Sequence, residues 1–421
     1  MNLPTSPASL AVVLATAMAL AVPADMAATP TAVAAAPAAD GPTEFTVDTT
    51  SDAADADPSD GLCLTASGAC SLRAAVMAAN ARQGSTITLP PGRYRLTVPP
   101  DPGKIIGDHP DPATGDLNIA VPTTIRGSGA RTTVIDANHL DRAFRMQADT
   151  RLSDLTITGG VAKERELPVT DTGGGGIANG HHMTLRRVAV TGNSAGYGGG
   201  IFNIPGSHLD LIDSTVSGNV AGEAGGIRFD DSGTVTNSTV AGNRVTNPGD
   251  RPGSLAGYGG GIDIRGRGPV VILNSTIVGN SSSDGGGGVN IAPAYLDSLP
   301  YPIPDVVDLP LGRLTLRNSV VAGNTVDGKG SDCKKAFATI TSEGHNIDGD
   351  GSCRLTAAGD LPSRTPLIGP LADNGGPTDT AALLPGSPAL DAAAGCPATD
   401  QRGVARPQGA ACDIGAYEAT S

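Results

Sequence analysis

The chain has 421 residues, 58 of them glycine, with 3% aromatics, no tryptophan and 17% charged residues. Glycine stands at about twice its usual share of roughly 7%, yet no Gly-X-Y period runs through the chain, which excludes a collagen, and the composition is far from that of a long coiled coil. A net charge of −14 leaves no basic stripe for nucleic acid, while 39% hydrophobic residues allow a core of Val, Ile, Leu and Ala.

At the N-terminus, Leu10 to Val22 form an apolar run followed by small residues at Ala24 to Ala28. This reads as a secretory signal over 1–28, followed by an Ala/Pro-rich linker over 29–43. The first basic side chain is Arg73, so the n-region lacks its usual charge and the true translation start is left open. The run is shorter than the roughly 20 apolar residues of a membrane span, and no other segment is long and apolar enough. Export to the cell surface or the extracellular space is the expectation. The six cysteines then read as disulfides. Their sequence-local grouping favours Cys63–Cys70, Cys333–Cys353 and Cys396–Cys412. No CxxC spacing points to zinc.

Asp52, Asp55, Asp57 and Asp60 precede the first cysteine. Clustered carboxylates on a turn could hold Ca²⁺, although the spacing is not that of an EF-hand; a solvated acidic loop is the plainer reading.

From residue 174 the chain repeats. Gly-Asn recurs at Asn193, Asn219, Asn243, Asn280 and Asn324, with shortest spacings of 24 to 26 residues. Between these words sits Gly-Gly plus an aliphatic, ending at Ile177, Ile201, Ile227, Ile262 and Val289. Aligned on Gly-Asn, the columns Val190/Val216/Val240/Ile277/Val321 and Leu185/Leu211/Val235/Ile272/Leu316 are aliphatic, Ser214/Ser238/Ser275/Ser319 are serine, and Asn237/Asn274/Asn318 are asparagine. If each unit is one turn of a coil, identical side chains stack about 4.8 Å apart. Asparagine can then stack through its amides and tolerate left-handed turns, and glycine permits sharp corners. The pattern predicts an all-β, single-stranded parallel β-helix with about 8 to 10 coils in a rod on the order of 40–50 Å long.

Three groups within the coils could carry chemistry. Counted from the Gly-Gly aliphatic, Arg228 and Asp230 align with Asp263 and Arg265 of the next coil, and both pairs face outward. Asp230 and Asp263 on a diagonal fall within the carboxyl spacing of an inverting glycosidase, about 6.5–9.5 Å, and a nearby Arg also suits a lyase. The bland reading is a cross-coil ladder in which Arg228 pairs with Asp263 and Asp230 with Arg265. Tyr197, Glu223 and Tyr258 form a second column, which reads as sugar-stacking side chains or as covers over apolar corners. His182 beside His208, with His181 and Asp231 near, could hold a metal or simply line a solvated turn. Two insertions, Arg244–Tyr258 and Ala292–Gly312, break the rhythm and are where binding usually lives on a rigid solenoid. No P-loop, HExxH, Gly-x-Ser-x-Gly or Rossmann word is present.

Phe45 to Thr50, Asp60 to Cys63 and Cys70 to Asn80 resemble the CSLREA domain, with Ala74 where the signature has Glu. Thr124 to Gly129 and Val134 to Asn138 resemble β-helix segments that commonly follow it. The repeat words resemble those of polymorphic outer-membrane-type proteins. Gly369 to Gly376, Gly386 to Asp391, Asp400 to Gly403 and Cys412 to Glu418 resemble the choice-of-anchor Q domain. Together these cover nearly all of 44–418. The resemblance implies an N-terminal cap with first strands over 44–100, β-helix repeats over 101–330, a disulfide-bracketed coil over 331–365 and a C-terminal domain over 366–421. It implies a right-handed parallel β-helix of the pectate-lyase-like kind in an exported bacterial surface protein, and supplies no catalytic residues. Relatives often carry a sorting tail; here the sequence stops three residues after Glu418, and no anchor is visible in it. The expectation is adhesion or contact with a polysaccharide or a host or cell-surface glycan, without catalysis; the alternative is a polysaccharide lyase or glycoside hydrolase using Asp230, Asp263, Arg228 and Arg265. Oligomeric state is left open.

Overall fold

The computed structural model describes residues 43–82, 84–101, 111–162, 173–246, 258–292 and 312–420. The expected signal, the linker up to residue 42 and most of the two insertions lie outside the described residues. The described chain is an all-β, right-handed parallel β-helix, and its helical part is one short segment, Leu72–Asn80.

One coil shows how the repeat folds. Strand Ile201–Asn203 belongs to a second sheet, His208–Ile212 and Thr215–Ser217 to the first and broadest sheet, and Val220–Glu223 to a third. Each strand pairs in parallel with the same strand one coil on: Ile201 with Ile227, Leu211 with Val235, Val216 with Val240, and Ala221 with Val245. Eight strands stack this way in the second sheet. The two predicted aliphatic columns fill the bore, with Leu185, Leu211, Val216, Val240, Ile272 and Ile277 fully buried.

The two repeat words meet inside the coil. The Gly-Asn asparagines form a buried ladder, each Nδ2 donating to the next Oδ1 from Asn193 through Asn219, Asn243 and Asn280 to Asn324 at 2.9–3.0 Å. The ladder ends on Asp332, whose Oδ1 accepts from Asn324 Nδ2 at 2.9 Å. The glycine before each aliphatic packs against this ladder: a Cβ on Gly226 would sit 2.4 Å from the Gly261 carbonyl oxygen and 3.0 Å from Asn243 Nδ2. Both words are therefore one packing requirement, since only a residue without Cβ lets the next coil approach the amides. A serine ladder runs beside it, with each backbone N–H donating to the next coil's Oγ from Val188 to Ser319. The asparagines at 237, 274 and 318 do something else. Their φ of 48–49° places them in the left-handed region, which asparagine tolerates, and they kink the first sheet into two flanks.

The N-terminal cap is built around the helix Leu72–Asn80. Ser71 caps the helix, its Oγ accepting from Ala74 N at 3.0 Å. Ala74 stands at the third helical position, so the reciprocal side-chain arm of a capping box, which needs Glu or Gln there, is absent. Arg73 is fully buried and gripped by Asp52 at 2.6 Å, whose Oδ2 also accepts from Thr97 and Val98 N at 2.6 and 2.9 Å. The cap is thereby tied to the first coils. The disulfides Cys63–Cys70, Cys333–Cys353 and Cys396–Cys412 all form.

After residue 366 the chain turns back along the outside of the second flank of the first sheet. Thr215, Thr239 and Thr276 form an outer column there. Gln401 Nε2 donates to Thr215 Oγ1 at 2.8 Å, Thr239 Oγ1 donates to Gln401 Oε1 at 2.7 Å, and Ala416 N donates to Thr276 Oγ1 at 3.0 Å. Arg131, far upstream, closes the run on Asp373 and Asp379 at 2.7 and 2.9 Å.

Candidate functional site

The second sheet carries the charged candidates. Its strands are three residues long; up to Val289–Ile291 the outer two side chains lie in the bore and the middle one outside, while the last strand, Cys333–Lys335, ends on an exposed Lys335. The middle residues stack in register as Asn118, Arg145, Ala178, Phe202, Arg228, Asp263, Asn290 and Lys334. Where the inner columns repeat one residue type, this outer row changes at every coil.

Arg228 is the centre of the row. Its Nε and Nη2 donate to the two oxygens of Asp230 at 2.7 and 3.2 Å, and Nη1 donates to Glu223 at 2.9 Å. Its guanidinium lies 4.8 Å from the Tyr197 ring centroid and 5.4 Å from that of Phe202. Tyr197 and Glu223 are register partners on the third sheet, so two groups identified separately in the sequence converge on one guanidinium. One coil on, Arg265 Nε meets Asp263 at 2.8 Å and its guanidinium lies 5.3 Å from the Tyr258 ring. Asp263 Oδ1 also accepts from Asn290 Nδ2 at 2.7 Å.

Two expectations are corrected here. The carboxylates are not paired across coils: Arg228 holds Asp230 and Arg265 holds Asp263, each within its own coil. Side chains two residues apart on a strand share a face, and a guanidinium is long enough to fold back along it, while Asn290 takes the other side of Asp263. Nor is the face an open one. Asp263 is 0% exposed, Arg265 3% and Arg228 6%, although they project from the outer side of the sheet. Burial works to lower the Arg228 pKa, but the Asp230 charge and hydrogen bond outweigh it and raise the group, so the guanidinium stays charged. Both aspartates are held by cations.

The first sheet carries the histidines. His182 and His208 are register partners, with rings edge to face at 5.0 Å. Asp210, two residues along the strand, sits between them: Oδ2 lies 2.9 Å from His182 Nε2 and Oδ1 lies 3.2 Å from His208 Nε2. Asp210 was not singled out by the sequence reading; the His-x-Asp spacing that puts both on one strand face was the available signal. Asp231 does not join them. Its carboxylate accepts from Gly206 N and Ser232 N, both at 2.8 Å. His181 lies apart, 3.9 Å from Asp149.

The N-terminal aspartates do not converge. Asp52 holds Arg73, Asp55 accepts from Asp57 N at 3.1 Å, Asp57 from Ser59 Oγ at 2.6 Å, and Asp60 from Leu62 N at 2.7 Å. Burial raises the Asp55 carboxyl, whereas the Ser59 donors lower that of Asp57. Among the described residues, the acidic groups that do come within ligand distance of one another are Asp332, Asp348 and Asp350, beneath the Cys333–Cys353 disulfide. Burial pushes Asp332 and Asp348 up to about 6, with the Asp350 charge adding to both. Asp141, beside Asp116, is likewise raised by burial to about 6.

The C-terminal motifs hold the fold. Asp400 pairs with Arg402 at 2.8 Å, Arg402 stacks 3.6 Å from the Tyr417 centroid, and the buried Arg406 pairs with Glu418 at 3.4 Å. Their side chains are turned inward and gripped, as in a folding motif.

The fold and these sites define a parallel β-helix with an ornamented outer row. No family model matches the chain, and no curated protein matches it. Among solved structures, the crystal structure of pectate lyase Pel9A is similar, at 16% identity over 90% of this chain and 97% of that chain, with a TM-score of 0.41. The architecture described above rests on this chain's own strand pairings. No helix among the described residues is long and apolar enough to cross a membrane.

Proposed function

We propose that the chain is an exported β-helix protein of the cell surface or extracellular space that contacts a polysaccharide or cell-surface glycan at the half-buried Tyr197 and Glu223, beside the outer row of the second sheet, and does not cleave it. The observation that carries this reading is the double pairing of the two candidate acids: Asp230 sits on Arg228, and Asp263 on Arg265 and Asn290. A glycosidase needs one carboxyl free to donate a proton and another free to attack or activate water, and here the oxygens of both aspartates are already taken up by hydrogen bonds from Arg228, Arg265 and Asn290.

The half-buried Tyr197, packed on Arg228 at 4.8 Å, supports contact with sugar, because an aromatic face beside polar groups suits an amphipathic ring. The three disulfides support an oxidising compartment. The CSLREA and choice-of-anchor Q resemblances support a bacterial surface setting. The test is retention of the protein on a panel of neutral and acidic polysaccharides. Wild type is expected to be retained on at least one, and Tyr197→Ala to be retained less, with unchanged unfolding. Equal retention of both, or retention on none, overturns the reading.

A further inference from the structure

We propose that His182, His208 and Asp210 form a binding site for a divalent transition metal of the zinc class, on the first sheet and independent of the glycan reading. Three strand positions build it. His182 and His208 face each other across adjacent coils, and Asp210 shares the outer face of the His208 strand. The two carboxylate oxygens each face one imidazole Nε2, at 2.9 and 3.2 Å, and one ligand atom from each residue lies within 4.8 Å of the others. Zinc–nitrogen and zinc–oxygen bonds are about 2.0–2.2 Å, which puts neighbouring ligand atoms of a tetrahedral ion roughly 3.3 Å apart. The two imidazole–carboxylate distances are already near that spacing, and the ligand-atom pairs that are farther apart, all within 4.8 Å, would close onto the ion by side-chain rotation. Two imidazoles and one carboxylate are borderline donors that suit zinc and its neighbours over Ca²⁺ or Mg²⁺.

The groups behind the ligands fit the same role. Ser232 Oγ lies 2.8 Å from His208 Nδ1, which can fix the tautomer that leaves Nε2 for the metal. Thr234 Oγ1 donates to Asp210 Oδ1 at 2.5 Å. Burial works to raise the Asp210 carboxyl, but Thr234, His182 and His208 outweigh it and hold it below its ordinary value. The ligands are partly exposed, with side chains 52%, 35% and 24% accessible for His182, His208 and Asp210, so an ion can enter and keep open positions. Next to His182 lies a groove of about 250 Å³ lined by Thr124, Asp149, Arg151 and Thr184 among others. Three protein ligands beside a groove are the arrangement of an open site, able to take a further oxygen ligand, in contrast to a closed structural one.

The test is calorimetric titration of the chelator-stripped, tag-free full chain with Zn²⁺, repeated with Co²⁺ to read ligand geometry from its visible bands. One ion per chain is expected, with binding that weakens on acidification because protons compete with the metal for its donors. Ser232→Ala is expected to weaken binding about 10-fold or more, and His208→Ala and Asp210→Asn more than about 100-fold, beyond the usual range for outer-shell changes. His181→Ala and Asp350→Asn, the latter in the separate carboxylate cluster, are expected to leave it unchanged. Unchanged thermal unfolding of metal-free Asp210→Asn shows that the fold is intact. Absence of binding in wild type, or binding that survives both His208→Ala and Asp210→Asn, or that is lost in Asp350→Asn, overturns the proposal.

Discussion

The inside of the solenoid and the outside of its second sheet obey opposite rules. Inside, asparagine follows asparagine from Asn193 to Asn324. Outside, Ala178, Phe202, Arg228, Asp263, Asn290 and Lys334 follow one another at the same strand spacing with no repetition. The inner amides must donate and accept along one line in a dry bore, so each coil dictates the next. The outer row answers to its neighbours on its own coil: Arg228 is held by Asp230 and Glu223, Arg265 by Asp263. Repetition marks what the fold needs, and variation marks where individual side chains can be chosen.

The largest way to break this contrast is Asn243→Ala. It removes the acceptor of Asn219 N and Nδ2 and the donor to Val216 O. With unsatisfied buried groups costing about 1–3 kcal/mol each, a loss of about 4 kcal/mol or more in denaturant unfolding is expected. On the outer row, Arg228→Met removes the guanidinium that contacts both Asp230 and Glu223. Both acids retain some solvent, so the loss is expected to be about 2–3 kcal/mol, below the range for a fully buried pair. If Arg228→Met costs more than Asn243→Ala, the outer row is as much a scaffold as the ladder.

The end of the ladder gives a pH signature. Asp332 and Asp348 are raised from 3.8 to about 6. Between those values the folded chain holds protons that the unfolded chain has released. Their contribution is therefore fully present below pH 4 and is lost as pH rises through 6. Asp350→Asn removes a charge that raises both and is expected to flatten the fall in unfolding free energy between pH 4 and 6; an unchanged slope would assign it to Asp141 or other groups. The smallest effect is expected from Lys334→Ala. Its bond to Asp284 at 3.0 Å joins side chains 39% and 41% exposed, and such pairs contribute roughly 0–1 kcal/mol.

Much of this was legible in the sequence. The aliphatic columns, the glycine words and the three disulfide pairs follow from period and proximity, because the bore imposes the same demand at every coil. Asn193 and Asn237 carry the same residue for different reasons, an internal amide and a left-handed kink, and column identity alone does not separate them. The site was less legible because its residues do not repeat. Sequence alignment put Arg228 opposite Asp263, which is the strand register, yet side-chain direction paired each Arg within its coil. The histidines were found by their column, while Asp210 was missed although it stands two residues from His208 on the same strand face, and Asp231, whose carboxylate is consumed by Gly206 N and Ser232 N, does not reach them.

The central claim is that Asp230 and Asp263 are structural partners of arginines and not a catalytic pair. The direct measurement is release of new chain ends, both reducing ends and unsaturated uronate ends, from each polysaccharide that retains the wild-type protein. The account predicts no release above a buffer control, from wild type, Asp230→Ala and Asp263→Ala alike. Release by wild type that either substitution abolishes would contradict it and would make the second sheet an active site.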